Sequence, residues 1–241
     1  MSESLVLLHG FTQTGASWAS VAAALAERYR PLAPDLRGHG SAGNAVPVEL
    51  AAVLGDISAL AAPVFTLVGY SMGGRIALHA ALSMPERIAR LVLIGASPGM
   101  ADASERAARR DADERVAVEI ERGSIEQFAH RWAQTPVLFG QPPAVAAAAH
   151  ADRLRSTPAG LARALRGLGT GALPSLWERL GELAMPVSLI VGERDAKFTD
   201  LAERMSAAID GAQVAIVPGA GHAVHLERPG EVAAIIAGPL P

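Results

Sequence analysis

Short, mainly apolar runs punctuate the chain, and between them hydrophobic positions recur at helical spacing. Leu5–Leu8, Val64–Val68, Leu91–Ile94, Val187–Val191 and Gln213–Val217 have the length and continuity of strands buried on both faces of a parallel sheet. Arg30–Ala33 adds a shorter strand that ends at Pro34-Asp35. Ser17–Arg28 places Trp18, Val21, Ala22 and Leu25 on one helical face, residues after Ser71 continue as a helix to about Met84, and Leu201–Ile209 reads as another. This alternation predicts an α/β fold with helices covering both faces of a parallel sheet. From about Gly99 to Leu183 the rhythm changes to helical segments with charged faces and no strand, Ala146–Ala149 among them. The sheet then resumes. The pattern predicts a core built from residues 1–98 and 184–241, with residues 99–183 inserted as a helical cap.

At 241 residues the chain can bury one large core with a small insertion. No apolar run approaches the roughly 18–20 residues that span a bilayer. The net charge of −3 offers no electrostatic basis for binding nucleic acid or an anionic membrane. There is no cysteine, which removes disulfides, thiolate chemistry and cysteine metal sites together. Met1-Ser2-Glu3-Ser4 lacks a basic segment, and Leu5–Leu8 is too short for the apolar part of a signal peptide, so a cytoplasmic location is expected. No feature fixes an oligomeric state. Lys197 is the only lysine among 21 basic residues. Arginine abundance therefore argues for nothing here; arginine position can.

Candidate chemistry begins at Gly69-Tyr70-Ser71-Met72-Gly73, which matches G-x-S-x-G between an apolar strand and a helix. Such a serine occupies a sharp, strained turn that lifts its hydroxyl above the sheet, and the glycines leave room for that turn. His9-Gly10-Phe11 ends the first strand, where the Phe11 amide can face that of Met72 as a two-donor oxyanion hole. Gly192-Glu193-Arg194-Asp195 follows a buried strand, at the ligand-facing edge of a parallel sheet. Asp195 is the expected acid, with Glu193 its rival. Gly219-Ala220-Gly221-His222 supplies a bare loop from which an imidazole reaches the serine, and His225 is the nearest competing base. The order Ser71, Asp195, His222 is that of the α/β-hydrolase fold. An intact triad argues against a non-catalytic binding module.

The chain also resembles the synthases of menaquinone biosynthesis that make 2-succinyl-6-hydroxy-2,4-cyclohexadiene-1-carboxylate (SHCHC). The similarity runs through His9-Gly10-Phe11-Thr12, Gly69–Arg75, Leu165-Arg166-Gly167-Leu168-Gly169-Thr170-Gly171, Pro174-Ser175-Leu176-Trp177, Gly192–Phe198 and Gly221-His222. The resemblance implies a lyase that eliminates pyruvate from a small polycarboxylate substrate, using the triad serine as a general base, without cofactor, metal or acyl-enzyme. It further implies carboxylate-binding arginines at Arg75, at Arg109 or its neighbour Arg110, and at Arg155, with Tyr70 and Trp132 lining the pocket. Planar guanidinium groups suit such a substrate better than ammonium groups do. Only eight residues precede His9, so the antiparallel hairpin that opens many sheets of this fold is expected to be absent or abbreviated. A carboxylester or C–C-bond hydrolase with Ser71 as nucleophile is the alternative.

Overall fold

The computed structural model describes residues 3–238. Six strands, β1 (Glu3–Leu8), β2 (Tyr29–Leu32), β3 (Phe65–Tyr70), β4 (Ile88–Ile94), β5 (Val187–Gly192) and β6 (Gln213–Val217), form one sheet in the order β2-β1-β3-β4-β5-β6. Every neighbouring pair is parallel. Each connection must therefore cross over the sheet, which is why helices alternate with strands. No antiparallel hairpin precedes β1 among the described residues; β1 pairs with β2 and β3 on its two sides.

Position parity sorts the strand side chains between two layers. Leu5, Leu7, Val68, Val92 and Ile94 pack against helices α1 (Ala19–Leu25) and α10 (Pro229–Ala237). Val6, Leu8, Leu67, Leu91 and Leu93 pack on the opposite face, against α2 (Leu50–Leu60), α3 (Met72–Ser83) and α8 (Ala196–Ala208). Because both faces are covered, the strands read as continuous apolar runs rather than as alternation.

Several boundaries differ from the sequence reading. The Ser17–Arg28 pattern divides into a 3-10 turn, Gly15–Trp18, and the shorter α1, because the Thr14 hydroxyl accepts the Ala16 amide and starts the turn early. Helix α8 begins at Ala196, five residues before the apolar repeat makes it visible. Helices α2, α9 (Val224–Glu227) and α10 were not distinguished by pattern at all.

Between β4 and β5 stand α4 (Ala103–Arg122), α5 (Ile125–Trp132), α6 (Pro143–Arg153) and α7 (Pro158–Leu168). Helices α4, α5 and α7 share a small core of Ala117, Ile120, Phe128, Leu161 and Leu165, against which Phe11 and Trp132 also pack. Leu176, Leu180 and Leu183, later in the same interval, rejoin the main core. No described helix is long and apolar enough to cross a membrane.

The chain leaves β1 toward one edge of the sheet and returns through β3 toward the other. The carboxyl ends of these neighbouring strands open a crevice, where ligands bind in parallel sheets. Close backbone approach holds the crevice in shape. A Cβ on Gly73 would lie 2.3 Å from the Leu8 carbonyl oxygen and 2.6 Å from that of His9. Gly73→Ala should therefore destabilise the protein by about 1–3 kcal/mol, the range for overpacking a tight contact. Thermal unfolding should report it as a lowering of Tm by several degrees; an unchanged Tm would show that this contact yields freely.

Candidate active site

Strand β3 ends at Tyr70, and the chain turns into α3 through Ser71 at φ 51, ψ −109. That backbone region is costly for a residue with a Cβ, on the order of 1–3 kcal/mol, and persists only when neighbours enforce it. Here the Ser71 amide donates to the Ile94 carbonyl at 2.9 Å, and the Ser71 carbonyl accepts from the Arg75 amide at 3.1 Å. The hydroxyl is thereby presented above the sheet at the start of α3.

His222 reaches it from the loop after β6. Its Nε2 lies 3.2 Å from Ser71 Oγ, and its Nδ1 lies 2.6 Å from Asp195 Oδ2. The carboxylate can only accept, so Nδ1 carries the hydrogen and Nε2 is free to take the serine proton. Asp195 occupies the position just before α8, placed there by the end of β5. The imidazole rests against Gly95, where a Cβ would come within 2.9 Å of the ring, and Phe198 packs on it at 4.4 Å between centroids. Glu193 is not at the serine; its carboxylate accepts the Gly219 amide at 2.9 Å and braces the histidine loop. Glu227, which the sequence reading passed over, accepts the Gly221 amide and an Arg194 N–H, each at 2.9 Å. His225 is buried between Trp18 and Tyr70, at centroid distances of 4.6 and 4.3 Å.

The amides of Phe11 and Met72 donate to no protein acceptor among the described residues, whereas those of Gly10, Gln13, Thr14 and Ser71 all do. Phe11, Met72, Ser71 and His222 line a cavity of about 400 Å³. Arg75 and Arg109 line it too. Arg75 is buried; among the described residues its side chain donates only to the Leu168 carbonyl, at 3.4 Å, and its Nε has no partner. Burial, then the charge of Arg109, lowers its pKa to about 10 against the opposing pull of Asp113, so it stays cationic at neutral pH. Arg109 is held by Asp113 at 2.7 Å.

A profile described as the alpha/beta hydrolase family matches residues 5–235. A Bacillus subtilis (strain 168) protein provisionally named 2-succinyl-6-hydroxy-2,4-cyclohexadiene-1-carboxylate synthase is 36% identical over 239 residues, covering 95% of this chain and 86% of its own. The synthase of that name from Enterobacter sp. (strain 638) is 33% identical, covering 97% and 90%. The chain belongs to the SHCHC synthase family of α/β-hydrolases. Among solved structures, MenH from S. aureus superposes with a TM-score of 0.92 at 29% identity, covering 97% of this chain and 91% of that one. An esterase from Thermogutta terrifontis superposes with a TM-score of 0.82 at 27% identity, covering 98% and 88%.

The remaining sequence candidates fall on both sides of the cavity wall of this α/β-hydrolase. Trp132 lines the cavity, edge-on to Phe11 at 5.1 Å. Tyr70 lies behind the wall, its ring between His222 and His225. Burial, followed by the charges of Asp195 and Glu227, raises its phenol pKa and keeps it neutral. Arg110 turns away, its Nε donating to the Gly171 carbonyl at 3.3 Å. Arg155 is not brought to Ser71. Its side chain is 64% exposed and lines a separate groove with Ala16, Ser20 and Leu226. Two residues apart at a helix end differ by about 200° in direction, and Arg153 is the one that faces inward, buried and donating from Nε to Thr12 Oγ1 at 3.3 Å. In so arginine-rich a segment no sequence signal separates 153 from 155. Lys197, also on the cavity wall, did carry a signal as the single lysine.

The α/β-hydrolase fold of this chain also buries neutral histidines around this centre. Burial, reinforced by neighbouring imidazoles, pushes both His39 and His225 down to about 3. The unfolded chain protonates these groups near pH 6.5 while the fold refuses the proton. Stability is thus complete above that pH and falls as the solution is acidified toward 3, by up to ~1.4 kcal/mol per pH unit for each histidine. Urea unfolding between pH 7 and 5 should show this loss, and His225→Phe should flatten the slope by close to one proton. An equally steep slope in that variant would exclude His225 as a source.

Proposed function

We propose that this enzyme is an SHCHC synthase, removing pyruvate from 2-succinyl-5-enolpyruvyl-6-hydroxy-3-cyclohexene-1-carboxylate by a base-initiated elimination. The observation that carries this reading is Arg75, a buried guanidinium with no carboxylate partner among the described residues, in the same cavity as Ser71 and His222. Leaving such a charge unpaired costs several kcal/mol, and an anionic ligand removes that cost. A neutral ester would not. The likeness to relatives bearing the synthase name supports the same assignment.

The chemistry follows from the change of bonds. Substrate C2 carries a hydrogen next to the succinyl ketone, so its removal leaves an enolate whose charge sits on the ketone oxygen. Ser71 Oγ, with its own proton drawn to His222 Nε2, takes that hydrogen, and Asp195 stabilises the resulting imidazolium. The Phe11 and Met72 amides receive the enolate oxygen; donors of this kind contribute about 3–4 kcal/mol each in related sites. The electron pair then forms C2=C3, the ring double bond moves to C4=C5, and the C5–O bond breaks. The departing enolpyruvate takes up a proton on its methylene carbon and becomes pyruvate. No bond to Ser71 forms, and no metal or redox group enters the balance. Arg75 and Arg109 hold substrate carboxylates, and Trp132 bounds the ring.

Pyruvate release, followed by coupling to lactate dehydrogenase, should be rapid for the native enzyme. It should fall at least ~10²-fold in kcat/KM for Ser71→Ala, His222→Ala and Arg75→Ala. Arg75→Lys should recover only part of the loss, because one ammonium cannot copy a guanidinium fork. Fast turnover of p-nitrophenyl acetate without pyruvate release would replace this reading with the nucleophilic hydrolase.

A further inference from the structure

We propose that Asp152, near the end of cap helix α6, is a positioning residue for the oxyanion loop Gly10–Thr14, so that the cap sets the geometry of the amide pair. The inference rests on the reading of Phe11 and Met72 as oxyanion donors. Thr14 donates both its backbone N–H, at 2.9 Å, and its hydroxyl to the two oxygens of the Asp152 carboxylate, across 138 residues of sequence. The adjacent Arg153 reaches Thr12 Oγ1. Asp152 is itself almost wholly buried, with Arg155 4.0 Å away on its outer side.

The loop needs such a hold. Thr12 sits at φ 72, a left-handed conformation disfavoured for a β-branched residue and stable only where neighbours enforce it. Bonds inside the loop, from the Gln13 amide to the Gly10 carbonyl at 3.2 Å and from the Gly10 amide to Gln13 Oε1 at 3.3 Å, give it its shape. They leave undetermined where the Phe11 amide lies relative to Met72. Asp152 and Arg153 grip the two threonines that follow Phe11, and Asp35 holds the Gly15 amide at 2.8 Å beyond them. Charge stabilisation by a fixed donor pair depends on tenths of an ångström, so a loosened loop loses rate rather than substrate affinity.

The test compares Asp152→Ala, Asp152→Asn and Thr14→Val in the full-length enzyme. It measures kcat and KM for pyruvate release, and amide hydrogen exchange across residues 10–14 without substrate. Asp152→Ala should lower kcat roughly 10- to 100-fold with KM within about threefold, and speed exchange at Phe11 and Thr12. Asp152→Asn keeps an acceptor and should recover part of kcat; Thr14→Val, which retains the backbone bond, should lose less than Asp152→Ala. Where Asp152→Ala does not fold, the other two variants carry the comparison. Native kcat and native exchange in the folded variants, or a loss confined to KM, would overturn the proposal. If the native enzyme releases no pyruvate, the synthase reading fails by itself, and p-nitrophenyl acetate turnover with the exchange data still decides the role of Asp152.

Discussion

The site depends on how closely the end of β1 and the start of α3 approach each other. With Gly73 pressed against the Leu8 and His9 carbonyls, the loops after β1 and β3 share one crevice, and the Phe11 and Met72 amides border the same cavity as the serine hydroxyl. Any larger residue at that contact would move α3 and the strained turn at Ser71 together. The strain at Ser71 is tolerable because β4, through the Ile94 carbonyl, and the first turn of α3 both hold it.

Charge is distributed around this centre with a consistent logic. His39 and His225, which do not face the cavity, are buried and neutral, and His222 is the imidazole paired with both a carboxylate and the serine. The cations are treated in the opposite way. Arg75 is enclosed with no carboxylate partner among the described residues, Arg109 is steadied by one, and Lys197 stands at the wall. Such a cavity attracts anions before it selects among them.

The cap is more than a cover. Its helices provide Arg109 and Trp132 to the cavity, and α6 sends Asp152 and Arg153 down to the loop after β1. On the proposed function, substrate enclosure and oxyanion geometry share one structural element, so a change in cap packing reaches both.

Sequence alone determined the strand order along the chain, the helical insertion, and the three residues that meet at the crevice. Each was legible because its signal is local: an apolar run, a strand–turn–helix glycine pattern, a glycine lead-in before His222. It also limited the acid to Asp195 or Glu193 and the cap arginine to Arg109 or Arg110. Tertiary structure decided between them, since both members of each pair share nearly the same local context. It moved the inward-facing arginine from 155 to 153, because a helix end turns two residues through more than half a circle and only packing fixes which side is inside. It revealed Glu227 and Asp152, whose partners lie in remote or separately folded segments that no short pattern connects. Local chemistry writes its motifs in a few residues; the direction of a side chain is set by everything packed around it.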